Sequence, residues 1–425
     1  MTGIFGFYPF GEGREKWEAS RFIYYGLSAM QGRGQETVSF ATIKKGKIEV
    51  INRDGLVDEA FKDPLPEGYI GLGQVSAYPK DYLIHVKEPL ELVLAGDGKP
   101  ALHEDKYEAF KLLAEKLAFA IDKNPLEETL KIIEEVKGGY SFIAITEREE
   151  MIFGRDLMGV KPLEVGSVGF DLGIVASESC ALDVIGAQSS SSVKNGEAII
   201  FDPLSIARKS STKAKCAYCS FEYVYLARAD SIINGIPIYD VRENIGKILA
   251  QKNKVKADVI IGIPDTAIPF SLSYSKEANI PAKLGFIRTG RHTRTAIKPT
   301  QMERLIGVQL KLNPISSSVD GKDVILIDDS VVRGNTLKNT VWNLKRKGAK
   351  RVQVRIGSPL IISHCPFGTE IPQKDELIGR ALSKEEIAEI IGADSFEALT
   401  PEELSKAIGL DKAKLCMGCF TGEYP

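Results

Sequence analysis

The strongest constraint on this chain is the segment from Val324 to Thr336, which reads VILIDDSVVRGNT. Four apolar residues in a row fit a strand covered on both faces, as in a parallel sheet. Two carboxylates, Asp328 and Asp329, follow at the strand's end, and a short loop then delivers Thr336 to the start of a helix. That helix is predicted from Leu337, Val341 and Leu344 on one face, with Gly348 as its stop. In an open parallel sheet, ligands bind beyond the carboxyl ends of the strands. Gly334 allows close backbone approach, and the loop N–H groups with the helix N-terminus favour a phosphate. Adjacent acids beside such a cradle suit ribose hydroxyls or Mg²⁺. A plain acidic turn would also show two aspartates, so the weight rests on the whole string.

The same alternation extends on both sides. ADVIIGI (257–263) and VQVRI (352–356) are further buried-strand patterns, and strand–helix–strand at this spacing is a parallel βαβ unit. The first half reads differently, with short strand-like runs such as GIFGF, YIGLGQV, LELVLAG, YSFIAIT and EAIIF, and few helices (108–120 is one). That pattern predicts an α+β sandwich rich in antiparallel strands. The polar stretches Ser189–Ser192 and 204–215 are expected to hold the boundary, giving domains 1–205 and 206–425. A length of 425 residues accommodates this at roughly 150 residues per domain. From Ser383 onward the tail is helical and charged and ends in CMGCFTGEYP.

Lys+Arg 55 against Asp+Glu 57 leaves a net charge of −2, which excludes a polybasic nucleic-acid or membrane-surface protein on global charge. No apolar run approaches the roughly 20 residues of a spanning helix, and no signal-peptide layout is seen, so a cytoplasmic location is expected. Positive charge is instead local: Arg288, Arg291, Arg294, Lys298 and Arg304 stand against Glu303 alone.

The VILIDDSVVRGNT string resembles the loop with which type I phosphoribosyltransferases bind phosphoribosyl pyrophosphate (PRPP). More narrowly, ASESCALD (176–183), FEYVYLARADS (221–231), KLN (311–313), IGADS (391–395) and CFTGEYP (419–425) are similar to the glutamine PRPP amidotransferase family of purine synthesis. The resemblance implies an N-terminal-nucleophile-hydrolase-like α+β sandwich followed by an α/β phosphoribosyltransferase domain with a parallel sheet and a helical C-terminal tail. It implies that Asp328 and Asp329 serve ribose and Mg²⁺, that Ser330, Val331, Val332, Arg333, Gly334, Asn335 and Thr336 form the 5′-phosphate loop, and that Asp265 and Thr266 lie at the pyrophosphate, with Thr266 a third Mg²⁺ ligand. It also places Arg294 in a mobile loop that closes over PRPP.

Six cysteines need a separate account. In a long chain without a secretion signal they read as thiols or metal ligands before disulfides, and Cys416-Met-Gly-Cys419 alone is open between zinc, redox and iron–sulfur use. Within the resembled family some members hold a [4Fe–4S] cluster with four cysteines, and the matching positions here are Cys219, Cys365, Cys416 and Cys419. Zinc on the same four ligands is the alternative. Cys180 and Cys216 would be left over, although Cys216 is close enough in sequence to Cys219 to exchange with it.

The N-terminal half departs from the family. The family's nucleophilic cysteine is Thr2 here, the arginine of GHVRY that grips the glutamine carboxylate is Ser76, and the oxyanion-hole string is Gly96-Asp97-Gly98-Lys99. Thr can act as an N-terminal nucleophile, but Ser76 cannot form a bidentate salt bridge, and an acid at Asp97 opposes a developing oxyanion. The mobile loop carries Arg291 where the family has a tyrosine. The expectation is a retained fold with a lost glutaminase: an enzyme making 5-phosphoribosylamine and pyrophosphate from Mg-PRPP, with ammonia taken free or from a partner. The alternative is a regulatory paralogue that binds PRPP or purine nucleotides. Resemblance further implies purine-nucleotide effectors and either a homo-oligomer or a complex with an active amidotransferase.

Overall fold

The structure, a computed structural model, describes residues 1–62, 65–121, 124–252, 254–287 and 312–425. The basic segment around Arg294, with Arg288, Arg291, Lys298, Glu303 and Arg304, lies outside the described residues.

The strand Thr2–Pro9 shows why the first half folds as it does. Ile4 and Tyr8 point to one side and join an inner core with Val93, Ile143, Phe153 and Ile199 of a second sheet. Phe5 and Phe7 point to the other side, against Ile23 and Leu27 of the helix Ala19–Ala29. Both faces of the strand are apolar because both are covered, which is why it reads as a run rather than an alternation. Seven antiparallel strands form the first sheet, in the order Ser189–Ser192, Glu164–Val168, Leu172–Ala176, Thr2–Pro9, Ile70–Ser76, Thr37–Lys44 and Lys47–Asp54. Six form the second: Ile206–Ser210, Glu197–Phe201, Met151–Arg155, Gly138–Thr146, Leu92–Pro100 and Ile84–Val86. Helices Lys106–Ala120 and Pro125–Glu135 cover the second sheet's outer face through Phe110, Leu113, Leu117 and Ile133. The expected sandwich is therefore a helix–sheet–sheet–helix stack.

Two polar stretches differ from their sequence reading. Ser189–Ser192 is an edge strand paired with Glu164–Ser167, and Ile206–Ser210 pairs with Glu197–Phe201. An edge strand bonds on one side only and needs no apolar alternation, so neither announced itself. Because Ile206–Ser210 completes the second sheet, we draw the domain boundary beyond Ser211 rather than at 205.

Among the described residues, the second half is built on four parallel strands in the order Val259–Gly262, Asp323–Asp328, Arg351–Ile356 and Ser395–Ala398. One face packs Val324, Leu326, Val352 and Val354 on the helices Asn335–Arg346 and Lys384–Ile391. Ile260, Ile325 and Ile327 on the other face meet Val241 and Ile245 of the helix Ile238–Lys252 and Phe270 of Ile268–Ala278. This is the doubly covered α/β sheet that the continuous apolar runs predicted. The charged tail resolves into capped helices: Ser383 with Glu386, and Thr400 with Glu403, form reciprocal capping boxes. No helix among the described residues is long and apolar enough to cross a membrane.

The halves are joined by buried polar contacts. Glu164 accepts from Ser192 Oγ at 2.8 Å and from the Asn234 N–H at 3.3 Å across the junction. Burial raises its pKa to about 7. The folded state thus holds a proton that the unfolded chain releases near the ordinary glutamate pKa, so this contribution to stability is complete at low pH and is lost as pH rises toward 7. Glu164→Gln keeps the shape without the charge. It is expected to gain on the order of 3 kcal/mol over the parent between pH 5 and pH 8. Urea unfolding of both proteins at the two pH values measures that difference.

Candidate active site

At the carboxyl edge of the parallel sheet, the strands Val259–Gly262 and Asp323–Asp328 are neighbours in register, with Gly262 opposite Ile327. The Ile263 N–H donates to Ile327 O at 2.9 Å, so the Pro264–Thr266 turn and the Asp328–Asp329 pair leave the sheet side by side. The Pro264–Asp265 peptide is cis. Asp265 is exposed and Thr266 half-buried just ahead of the helix Ile268–Ala278. Asp329 N–H donates to Asp328 Oδ1 at 2.9 Å, and Ser330 Oγ donates to Asp329 Oδ2 at 2.6 Å. Burial, and then the neighbouring Asp329, push the Asp328 carboxyl well above the usual range. Burial raises Asp329 too, with Ser330 and Arg242 opposing it. A pair so placed resists carrying two negative charges at once, and a cation between them would relieve that.

The loop that follows is anchored at both sides. Val331 is buried, and Val332 O accepts from the Ile378 N–H at 3.1 Å. Gly334 has φ 76°, the left-handed region, and turns the chain into the helix Asn335–Arg346. A Cβ at Gly334 would come within 2.9 Å of Ile378 Cδ1. Asn335 and Thr336 are exposed at that helix N-terminus, and Arg333 points away to Glu376 at 2.6 Å. The first-turn N–H groups of a helix lack partners within it, which makes such an N-terminus favourable for an anion.

Sequence reading missed Arg242. From the helix Ile238–Lys252 it donates to Tyr223 O at 3.3 Å and Ala227 O at 2.7 Å, and its charge also acts on Asp329. Burial lowers it to about 10. It braces Glu222–Leu226, a single π-helical turn of the kind often found at functional sites, against the acid pair.

In the N-terminal half, Thr2, Ser76, Asp97 and Gly98 do come together, but in a closed, charge-filled interior. The Thr2 hydroxyl is fully buried and accepts from Lys106 Nζ, which is also paired with Asp81. Ser76 Oγ donates to the same Asp81 carboxylate. Asp97 Oδ1 accepts the Gly98 N–H at 2.9 Å, and Asp97 Oδ2 meets Arg33 Nη2 at 2.9 Å. Burial works against the Asp97 carboxylate, but Lys161 and Arg33 outweigh it and hold its pKa below the ordinary aspartate value.

Arg33 is the centre of this interior. Its Nε donates to Thr2 O, its Nη1 to Glu178 and Glu222, and its Nη2 to Asp97 and Glu222, all at 2.9–3.0 Å. Every N–H of the guanidinium is used, and its side chain is 1% exposed. Glu222 belongs to the second half, so the network is also a junction between the two. Glu178 extends it to the Arg228 N–H at 2.8 Å and Ser231 Oγ at 2.7 Å. Asp97, Glu178 and Glu222 lay in strings already singled out, Gly96-Asp97-Gly98-Lys99, ASESCALD and FEYVYLARADS, but nothing local revealed that their charges converge on Arg33.

The four expected cysteines line one small cavity with Val160, Phe221, Phe367, Thr369, Ile371 and Tyr424. Cys219 and Cys416 are register partners in the parallel pair Tyr218–Cys219 and Leu415–Cys416. Cys419 O accepts from the N–H groups of Ile362 and Ser363, which brings the Cys365 segment alongside. All are free thiols. Burial pushes Cys416 up to about 11, and raises Cys219 and Cys419 further. Among the described residues, no three His, Cys, Asp or Glu side chains close on a point as a single metal ion would require.

Comparison with known proteins fits this geometry. A phosphoribosyl transferase domain profile matches residues 237–362. The amidophosphoribosyltransferase of Methanocaldococcus jannaschii is 36% identical over all of this chain and 98% of its own length. The chain belongs to the amidophosphoribosyltransferase family. The Bacillus subtilis amidophosphoribosyltransferase is 35% identical over all of this chain and 94% of its own. Among solved structures, the B. subtilis glutamine PRPP amidotransferase complexed with ADP and GMP superposes with a TM-score of 0.88 at 32% identity, covering this chain fully and 97% of that one. A second, described as the allosteric regulatory enzyme of purine biosynthesis, gives 0.89 at 32% identity, covering all of this chain and 96% of the other. The fold is thus that of the amidophosphoribosyltransferases, an N-terminal-nucleophile-hydrolase domain joined to a phosphoribosyltransferase domain.

Proposed function

We propose that this amidophosphoribosyltransferase converts Mg-PRPP and ammonia to 5-phosphoribosylamine and pyrophosphate, and does not hydrolyse glutamine. The observation that carries the transferase half is the adjacency of Pro264–Thr266 and Asp328–Thr336 on neighbouring parallel strands. The loop N–H groups of 330–336 hold the 5′-phosphate, and Asp328 and Asp329 face the ribose. Thr266, Asp328 and Asp329 would hold Mg²⁺, which when bound offsets the charge of the departing pyrophosphate. Ammonia forms its bond to C1′ as the bond to pyrophosphate breaks, and the ammonium proton is lost to solvent. The chain's part is to position the reactants and stabilise charge. Arg294 belongs to this site by family resemblance alone.

The loss of glutaminase rests on the side chains around Thr2. An oxyanion hole needs a free donor where negative charge develops, but the Gly98 N–H is already bonded to an ionised Asp97. Where the family holds a glutamine carboxylate with arginine, this chain has Ser76 bonded to its own Asp81. Incubation with PRPP and Mg²⁺ is expected to release pyrophosphate with ammonium and not with glutamine. Thr2→Cys alone should leave glutamine untouched. Glutamate release by the parent protein or by that variant would sink the nitrogen assignment. No pyrophosphate with ammonium would favour the regulatory reading, in which PRPP is bound and not turned over.

The cysteine cavity gathers four thiols between otherwise largely apolar walls. Four thiolates are the complete ligand set of a [4Fe–4S] cluster, and zinc on the same four is the alternative. Cys219, Cys365, Cys416 and Cys419 would hold a [4Fe–4S] cluster, which when bound ties the C-terminal tail to the start of the transferase half.

A further inference from the structure

All four cysteines of the cavity come from the second half of the chain, yet a buried cation that reaches the cavity wall comes from the first. Lys161 follows the strand Met151–Arg155, and its side chain is 0% exposed. Its Nζ donates to Thr369 Oγ1 at 3.1 Å, and Thr369 lines the cavity beside the thiols. Behind the ammonium stand Glu222 Oε1 at 3.5 Å and the Asp97 carboxylate. The backbone ties Lys161 to the same cavity: its neighbour Val160 lines the wall, and Val160 O accepts from the Cys219 N–H at 3.2 Å. A fully enclosed ammonium is costly unless anions surround it. Asp97 and Glu222 account for part of that need, but both are already bonded to Arg33, and neither explains why the ammonium is aimed at Thr369 on the cavity wall.

We propose that Lys161 is the counter-charge of the four-thiolate site: an ammonium, delivered across the domain junction through Thr369, that stabilises the thiolates and any cluster they hold. This rests on the cluster reading above. Four thiolates bring a net negative charge into a closed interior, and a nearby cation favours both the deprotonated ligands and the more negative, electron-rich state of the group. Lys161 is thus a positioning and charge-tuning residue. Through Glu222 and Asp97 it joins the cluster site to the Arg33 network, so filling the cavity and holding the two halves together reinforce one another.

The test uses full-length protein reconstituted anaerobically with iron and sulfide. The parent is expected to bind four irons per chain, and protein that takes up neither iron nor sulfide overturns the cluster reading and this proposal together. Given a loaded parent, Lys161→Gln is expected to lose iron to a chelator roughly 10-fold faster or more, as removal of an outer-shell partner does. Its cluster should also show a more negative reduction potential. Lys161→Arg, which keeps the charge, should stay close to the parent on both measures. If Lys161→Gln does not fold, Thr369→Val removes only the contact that aims the ammonium, and should shift both measures in the same direction by less. A loaded parent with iron retention and potential unchanged in Lys161→Gln, or in Thr369→Val if it must stand in, overturns the counter-charge role and leaves Lys161 a structural partner of Asp97 and Glu222.

Discussion

Asp328→Asn combined with Asp329→Asn is expected to abolish pyrophosphate release from PRPP, by at least ~10³-fold, while raising the melting temperature. The loss follows from the chemistry. Two amides cannot supply the negative charge that a divalent cation and a ribosyl centre gaining positive character require. The gain follows from the same geometry. At the strand end Asp329 is buried and Asp328 half-buried, and desolvation raises both pKa values, with the neighbouring carboxyl adding to it in Asp328. A carboxyl whose folded-state pKa is raised contributes stability at low pH that is lost as pH rises above the ordinary carboxylate range. The double variant should therefore melt above the parent at pH 8, by roughly 2–4 °C for each kcal/mol relieved, with the gap closing toward pH 4. Pyrophosphate release and thermal scans at both pH values check the two halves. Retained turnover would show that the acid pair is not where PRPP reacts. Lost turnover with a lowered melting point would mean the pair is structural rather than held under strain for a ligand.

Arg33→Met is the second large effect, and it falls on stability. One buried guanidinium satisfies Asp97, Glu178 and Glu222 and also bonds the Thr2 carbonyl. Removing a single partner from a buried ion network leaves charges that can neither reach water nor find another donor, and costs about 3–5 kcal/mol. Lys161 next to Glu222, and the Arg228 N–H and Ser231 hydroxyl on Glu178, offset only part of it. Arg33→Lys should recover little, because a three-donor ammonium cannot reproduce a five-bond planar fork. Asp97 gives the pH dependence its sign. Its carboxyl is held below the ordinary aspartate value, so the stability it contributes is present above that value and lost as pH falls through the lower folded-state pKa. The penalty for Arg33→Met should accordingly persist across the neutral range and shrink only in strong acid. Urea unfolding from pH 4 to pH 8 measures it. A cost under about 1 kcal/mol would show that water replaces the guanidinium, and that the interior is more open than its burial indicates.

How much of this was legible beforehand depended on the range of the interaction. The strand at 324–327, the Asp328–Asp329 turn, the Gly334 turn and the helix after it are short-range features, set by hydrophobic period and by which residues tolerate a given φ. Each was readable from consecutive residues and lies where expected. The edge strands Ser189–Ser192 and Ile206–Ser210 were not readable, because a strand that borrows its hydrogen bonds from a neighbour needs no pattern of its own. The acid at position 97 could be recognised as wrong for an oxyanion hole, but not as the partner of Arg33, 64 residues away.

By itself the sequence determined which chemistry each half could carry. It placed an acid pair and a glycine turn between strand and helix in the second half, four cysteines at separated positions, and Thr2, Ser76 and Asp97 in the first half. Only the tertiary structure decided which charges meet around Thr2. Asp97, Glu178 and Glu222 lie 64, 145 and 189 positions from Arg33, the arginine they share, and Lys161 reaches 208 positions to Thr369. Local periodicity cannot encode such a meeting, because buried charges choose partners by where the packed layers bring them, at a free-energy cost that only the completed interior can offset.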